Sequence, residues 1–332
     1  MTRRLSITIN PDGALGRARI FKYVRAADEA GVWAVFVPET WGRDAFSMLV
    51  QLAERTRQIR LATGIVNVFS RSPGALAQQF ATLDELSGGR VIAGLGTSGP
   101  QVIEHFHGVS FGRSATRLRE VTELLRMLLR QEPLRYEGEL FRLERGFTLR
   151  FTPLREDVPI YLATFRPAGV RLTAELADGW MPLMIPIERL GEEVGRVREL
   201  VQSGGRDSSA LDVRSSGQVI VTADVERARH EHKRTLAFYL ARMGHFYHTH
   251  LAEMGRAEEV ARIRAAWATG GSVAGAAAVS DDLSEALAAV GSVERCIDRL
   301  DEQTAKGVDL HQVSAVGYEG PELGRVFERL VG

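Results

Sequence analysis

At 332 residues, 45% hydrophobic and 25% charged, the chain has the balance of an ordinary globular protein. Forty-two Lys and Arg offset 42 Asp and Glu, which excludes the basic field of a protein whose main partner is nucleic acid. No apolar run approaches the roughly 18 residues of a membrane span and Met1-Thr-Arg-Arg opens no signal peptide; one cysteine, Cys296, excludes an intrachain disulfide framework, so the expected compartment is the cytoplasm.

Leu5 to Ile9 alternates and predicts strand one, closed by a turn at Asn10-Pro11-Asp12-Gly13. Arg17 to Ala30 predicts a helix with Ile20, Val24 and Ala27 on one face, and Gly31 stops it. Val32 to Val37 is a continuous apolar run, as in a strand buried on both faces. The alternation continues with helix 45–57, strand 59–66, helix 73–86, strand 91–95 and a helix from Arg113. Pro133 to Phe151 interrupts it with a predicted hairpin excursion. It resumes with strand 159–163, helix 167–177, strand 179–183, helix 187–201 and strand 213–221. A helical insertion is expected near 242–290, in which Ala265 to Ala278, rich in Ala and Gly and weak in periodicity, reads as mobile. Ser292 is the expected N-cap of a helix to Ala305, followed by strand 308–316 and a closing helix from Pro321. Eight strands alternating with helices and no linker predict a single (β/α)8 TIM barrel spanning 1–332, ahead of a doubly wound sheet.

In either architecture a ligand sits beyond the carboxyl ends of the strands. Gly94-Leu-Gly96-Thr97-Ser98-Gly99 matches G-x-G-x-x-G, but Pro100 follows, no helix clearly opens there and no acidic strand end lies about twenty residues on. It is read instead as a loop that lets a ligand approach the backbone, or as a plain tight loop. Glu39, Thr40 and Trp41 follow strand two, where they line a cofactor or relay a proton, or make a helix-start turn. Asn67 suits the edge of a flat heterocycle or an Asx-turn. Thr164-Phe165-Arg166-Pro167 is an anion site suited to a phosphate or an ordinary helix start. His105-x-His107 and the histidines from His230 to His250 lack a third ligand at fixed spacing, so no metal is expected. With no nucleophile pattern either, the chemistry falls to a bound organic cofactor.

Thr82-Leu-Asp-Glu-Leu-Ser-Gly-Gly-Arg-Val91, then Gly94-Leu-Gly-Thr-Ser-Gly-Pro100, Ala174-Glu-Leu-Ala-Asp-Gly-Trp180 and Gly291-Ser-Val-Glu-Arg295 resemble the luciferase-like monooxygenase superfamily, in particular its branch dependent on the deazaflavin coenzyme F420. The resemblance covers most of the chain and is densest from Val35 to Gly108. It implies a (β/α)8 barrel, a homodimer, and hydride transfer between C5 of coenzyme F420 and a small organic substrate. The alternatives it leaves are an FMN-dependent monooxygenase or reductase, and a non-catalytic flavin-binding protein. By analogy with methylenetetrahydromethanopterin reductases, Gly64-Ile65 is a cis peptide behind the ring. Gly64, Ile65, Asn67, Thr97, Ser98, Gly99, Thr164, Phe165 and Arg166 are then the expected cofactor contacts. Glu39 and Thr40 fall where some relatives place Asp and His, and Thr is no general base at neutral pH. Trp41, Phe69, Trp180 and Met184, with Phe106, are the expected substrate pocket, and His245, Phe246 and Tyr247 are placed to form a lid.

Overall fold

The computed structural model describes residues 2–10 and 16–332. The turn expected at 10–13 lies outside them apart from Asn10. The chain runs β1 (Leu5–Thr8), α1 (Arg17–Glu29), β2 (Ala34–Val37), α2 (Ala45–Ala53), β3 (Arg60–Thr63), β4 (Val66–Asn67), α3 (Pro73–Ser87), β5 (Val91–Gly96), α4 (Pro100–His105) and α5 (Ser114–Leu129). Next come β6 (Leu134–Glu137), β7 (Arg142–Phe147), β8 (Ile160–Ala163), α6 (Pro167–Leu176), β9 (Gly179–Trp180), α7 (Ile187–Ser203) and β10 (Asp212–Thr222). The last part is α8 (Val225–Arg242), α9 (His245–Leu251), α10 (Ala257–Ala277), α11 (Asp281–Leu287), β11 (Ala288–Gly291), α12 (Val293–Ala305), β12 (Leu310–Val316) and α13 (Gly320–Val331).

Parallel pairing runs β1-β2-β3-β5-β8-β9-β10-β12 and returns to β1, closing the eight-stranded barrel that the alternation predicts. Two strands were not anticipated. β4 resumes the line of β3 after a break and pairs Val66 with Leu95 and Asn67 with Gly96. β11 pairs with the outer half of β10, beyond a register shift between Arg214 and Gln218.

Side chains alternate between two compartments, as a closed sheet requires. Leu5, Val35, Leu61, Leu95 and Leu162 point to the helices, where each fully buried aliphatic contributes about 2 kcal/mol. Phe36, Ala62, Ile92, Tyr161 and Met181 form a smaller cluster inside the barrel. Side-chain caps set several helix starts: Asp44 accepts from Ser47 N–H at 2.6 Å, Ser72 from Ala75 at 3.2 Å, and Ser292, as expected, from Arg295 at 3.4 Å.

The excursion at 133–152 is the antiparallel β6–β7 hairpin. Buried Glu120 of α5 ties its tip down by accepting from the N–H groups of Glu139, Leu140 and Phe141. The insertion is α9 to α11, and Ala265 to Ala278, expected to be mobile, is mostly the second half of α10. Its Gly275 and Ala276 are buried and Trp267 packs against the Leu236, Leu240 and Ile263 cluster. Small residues there permit close approach of α10 to α8, a packing reason that leaves little periodicity to read. Cys296 on α12 is buried, with Sγ directed at the Ile220 carbonyl at 3.5 Å, and burial pushes its thiol up to about 12.

Candidate active site

The mouth is built around a break in the sheet. Regular β3–β5 pairing stops after Ala62 and Ile92. Thr63 then bridges the gap with its side chain: Oγ1 donates to the Gly94 carbonyl at 2.7 Å and accepts from Gly94 N–H at 2.9 Å. Gly64-Ile65 follows as a cis peptide. Gly94 has no room for a side chain, since a Cβ there would lie 1.8 Å from the Thr63 carbonyl oxygen. A Cβ on Gly64 would lie 2.9 Å from Cβ of Phe36, and one on Gly96 would lie 3.0 Å from Ile65. Ile65 and Ala163 are half-buried above this wall, packed on the inner cluster. The result is a close-packed, glycine-lined surface at the ends of β3, β5 and β8.

The predicted residues gather around it, several with their bonds already engaged. Glu39 donates its N–H to the Ile65 carbonyl at 3.3 Å. Its carboxylate accepts from Arg71 at 2.5 and 3.0 Å and from Ala45 N–H at 3.0 Å. Arg71 also reaches Asp44 at 2.8 Å. Burial would raise Asp44, but bonds from Ser47 and the charge of Arg71 outweigh it and hold the carboxyl below its ordinary value. Thr40 is exposed. Asn67 Oδ1 accepts from the N–H groups of Phe69 at 3.0 Å and Ser70 at 2.8 Å, which is the Asx-turn reading, and its Nδ2 lies 3.4 Å from His107 Nε2.

Ser98 takes a positive φ of 55°, and a short helix, α4, does open at Pro100. The sequence hid it because Pro at the first helical position looks like a break, although its missing N–H is unneeded there. The N–H groups of Ser98 and Gly99 donate to nothing among the described residues. Thr164 is turned toward Thr173 at 2.7 Å, Phe165 lies 4.8 Å from the His250 ring, and Arg166 is paired with Glu253 at 2.8 Å in an exposed ion pair.

The expected substrate pocket is not one place. Trp41 and Phe106, both exposed, line an open cleft of about 360 Å³ with Val102 and Phe238. Trp180 does not reach the mouth: it is 1% exposed in the layer between sheet and helices, with Nε1 donating to the Thr164 carbonyl at 2.8 Å. Met181 holds the inward position instead. Phe69 stacks on Phe111, centroids 5.3 Å apart, and Met184 packs into the α8–α10 cluster. Phe246 lies 5.8 Å from Phe111 and Tyr247 5.8 Å from Phe165, so α9 rests against the loops that follow α4 and β8. No group of three His, Cys, Asp or Glu among the described residues is placed to hold a metal ion.

The opposite side of the barrel, at β1, β10 and β12, is polar. At its floor Arg4 makes two 2.7 Å hydrogen bonds to Asp212, which also accepts from Tyr161. Arg4 and Arg60 flank Trp33 at 4.0 and 4.4 Å. Burial would raise Asp212, but Arg4 and Tyr161 outweigh it and hold the carboxyl below its ordinary value. Two residues further along β10, Arg214 is 9% exposed, donates to Ser6 Oγ at 3.2 Å and Thr8 Oγ1 at 2.8 Å, and lies 4.1 Å over the Phe36 ring. Burial pulls its pKa down, yet a guanidinium stays charged at neutral pH. Half-buried Gln218 donates to Ser314 at 3.1 Å nearby. Sequence reasoning missed Arg214; the available signal was a single Arg in the strand Val213-Arg-Ser-Ser-Gly-Gln-Val219.

A parallel barrel whose carboxyl-end mouth joins a glycine-lined wall to a polar one is an enzyme scaffold for a ligand held at that mouth. The chain belongs to the luciferase-like monooxygenase family, whose model matches residues 7–310. It is 32% identical over 309 residues to a Mycobacterium tuberculosis protein named as a coenzyme F420-dependent oxidoreductase, covering 88% of this chain and 89% of that one. It is 27% identical over 311 residues to the 5,10-methylenetetrahydromethanopterin reductase of Archaeoglobus fulgidus, with 90% of each covered. The fold matches the coenzyme F420-dependent tetrahydromethanopterin reductase of Methanopyrus kandleri with a TM-score of 0.84 at 22% identity, over 100% of this chain and 98% of that one.

Proposed function

We propose that the protein is a coenzyme F420-dependent oxidoreductase that acts on a small organic substrate. The observation that carries the reading is the close-packed wall at Gly64, Ile65, Gly94 and Gly96, where glycines let the strand ends, Phe36 and Ile65 pack without added bulk, in a chain whose relatives include proteins named for that coenzyme. When bound, the deazaflavin supplies a hydride donor or acceptor at C5, chemistry that no amino-acid side chain provides.

The residues present fit such a group. Gly64 and Ile65 back the ring, and Phe36, tight against Gly64, supports them from below. The free N–H groups of Ser98 and Gly99, with Thr97, and the first turn of α6 suit the anionic chain. Arg166 joins them by releasing Glu253, because an exposed ion pair is worth about 1 kcal/mol or less. Glu39, held by Arg71, fixes the β2 corner through its N–H bond to Ile65. Thr40 presents an exposed hydroxyl at the rim that donates or accepts a hydrogen bond but takes no proton at neutral pH. The chain's contribution is orientation and exclusion of water, which is where rate comes from when the cofactor carries the bond changes.

Parallel titrations with coenzyme F420 and FMN, following ring fluorescence, test this. Binding of the deazaflavin with FMN rejected is the expected result. A preference for FMN, or binding of neither, overturns it.

A further inference from the structure

Among the described residues, Arg214 is a buried cation without a counter-charge. Its Nε hydrogen goes to Ser6 Oγ and one Nη2 hydrogen to Thr8 Oγ1, and both acceptors are neutral. Ser6 spends its own hydrogen on the His311 carbonyl at 3.0 Å, so it can only accept from the guanidinium. Nη1 has no partner among the described residues, and no carboxylate forms an ion pair with Arg214. Asp212, two residues away, has both oxygens committed to Arg4. Tyr161 is the nearby ionisable group, and burial first, then Asp212, pushes its pKa up and keeps it neutral.

A buried unpaired charge costs more than any apolar residue of similar size would in the same place. The strand nonetheless keeps it, braced on Phe36, with two hydrogens of Nη1 and one of Nη2 left over. The half-buried amides and hydroxyls of Gln218, Gln312 and Ser314 share this side of the barrel. A delocalised oxyanion fits that arrangement, since it supplies the missing charge and accepts from two nitrogens at once.

We propose that Arg214 is a ligand-binding residue that receives an oxyanion, a substrate carboxylate or the pyrimidinedione oxygen of the cofactor ring, at the polar side of the barrel mouth. The inference rests on the functional reading above for the second source only. The full-length protein is titrated with formate, acetate and benzoate and with their neutral amides, before and after saturation with coenzyme F420, in the native form and as Arg214→Met and Arg214→Lys. Thermal unfolding and cofactor fluorescence are followed.

At least one carboxylate is expected to raise the unfolding temperature of the native protein while its amide does not, and R214M is expected to lose that response at least tenfold in affinity with R214K in between. A carboxylate response that survives saturation with coenzyme F420 supports the substrate as the source. A response abolished by the cofactor, with R214M binding coenzyme F420 at least tenfold more weakly, supports the ring. R214M is expected to unfold, ligand-free, no lower than the native protein. Carboxylate and cofactor affinities within twofold of native in both variants overturn the proposal, as does the absence of any carboxylate response together with unchanged cofactor affinity. Failure of the native protein to bind coenzyme F420 overturns the functional reading alone, because the carboxylate titration still decides the role of Arg214.

Discussion

On the β3–β5 side of the mouth a methyl group at Gly94 would overlap the Thr63 carbonyl, whereas across the barrel Arg214 keeps hydrogens to spare. The first wall is fixed by what cannot be added to it. The second is fixed by bonding capacity that the protein does not use itself. A ligand bridging them is sorted by shape on one side and by charge on the other, so each wall is open to separate attack.

The largest effect is expected from Gly94→Ala. The clash is with backbone, so β3 and β5 must part, at a cost of about 4 kcal/mol or more. Soluble yield and the urea midpoint measure this, and a native-like midpoint would show that the wall tolerates volume. Thr63→Val keeps the shape and removes both side-chain bonds, leaving the Gly94 N–H buried and unpaired. A loss of about 2 kcal/mol is expected by urea unfolding, with weaker cofactor binding because Gly64 and Ile65 lose their anchor.

Beneath the polar wall, Asp212 offers a pH test. Its carboxyl is held below the ordinary value, so its stabilisation is fully present above the unfolded carboxylate pKa of about 3.9 and is lost as pH falls through the lower folded value. Native stability should therefore fall more steeply than that of Asp212→Asn as pH drops from about 5 toward 3, by urea midpoints across pH. Equal slopes would mean that the floor does not depend on this charge. The smallest effect is expected from Glu253→Gln, which frees Arg166 from an exposed pair and should change stability by less than about 0.5 kcal/mol. Tighter cofactor binding in that variant would place Arg166 at the anionic chain.

The barrel was legible because parallel strands with both faces covered are written as apolar runs, such as Ala34 to Val37. The close-packed wall was legible as glycine at strand ends. β11 was not, because Leu287-Ala-Ala-Val290 continues the composition of the helix before it and pairs only with a distant strand. The inward or outward parity of a two-residue strand is equally invisible, which is why Trp180 was expected in the pocket and Met181 was overlooked. Arg214 was hidden for a different reason. Periodicity scores a charge inside a strand as noise, and only its neighbours show that the charge has no mate.

Cys296, the single thiol of the chain, is sealed against β10 and held far from its thiolate form. Alkylating reagents need the thiolate, so the native protein should be nearly silent to them. A cysteine introduced at an exposed site such as Thr40 would then take a fluorophore alone and report ligand entry from the rim. In the unsubstituted chain, the slow appearance of Cys296 labelling would instead time the opening of the barrel itself.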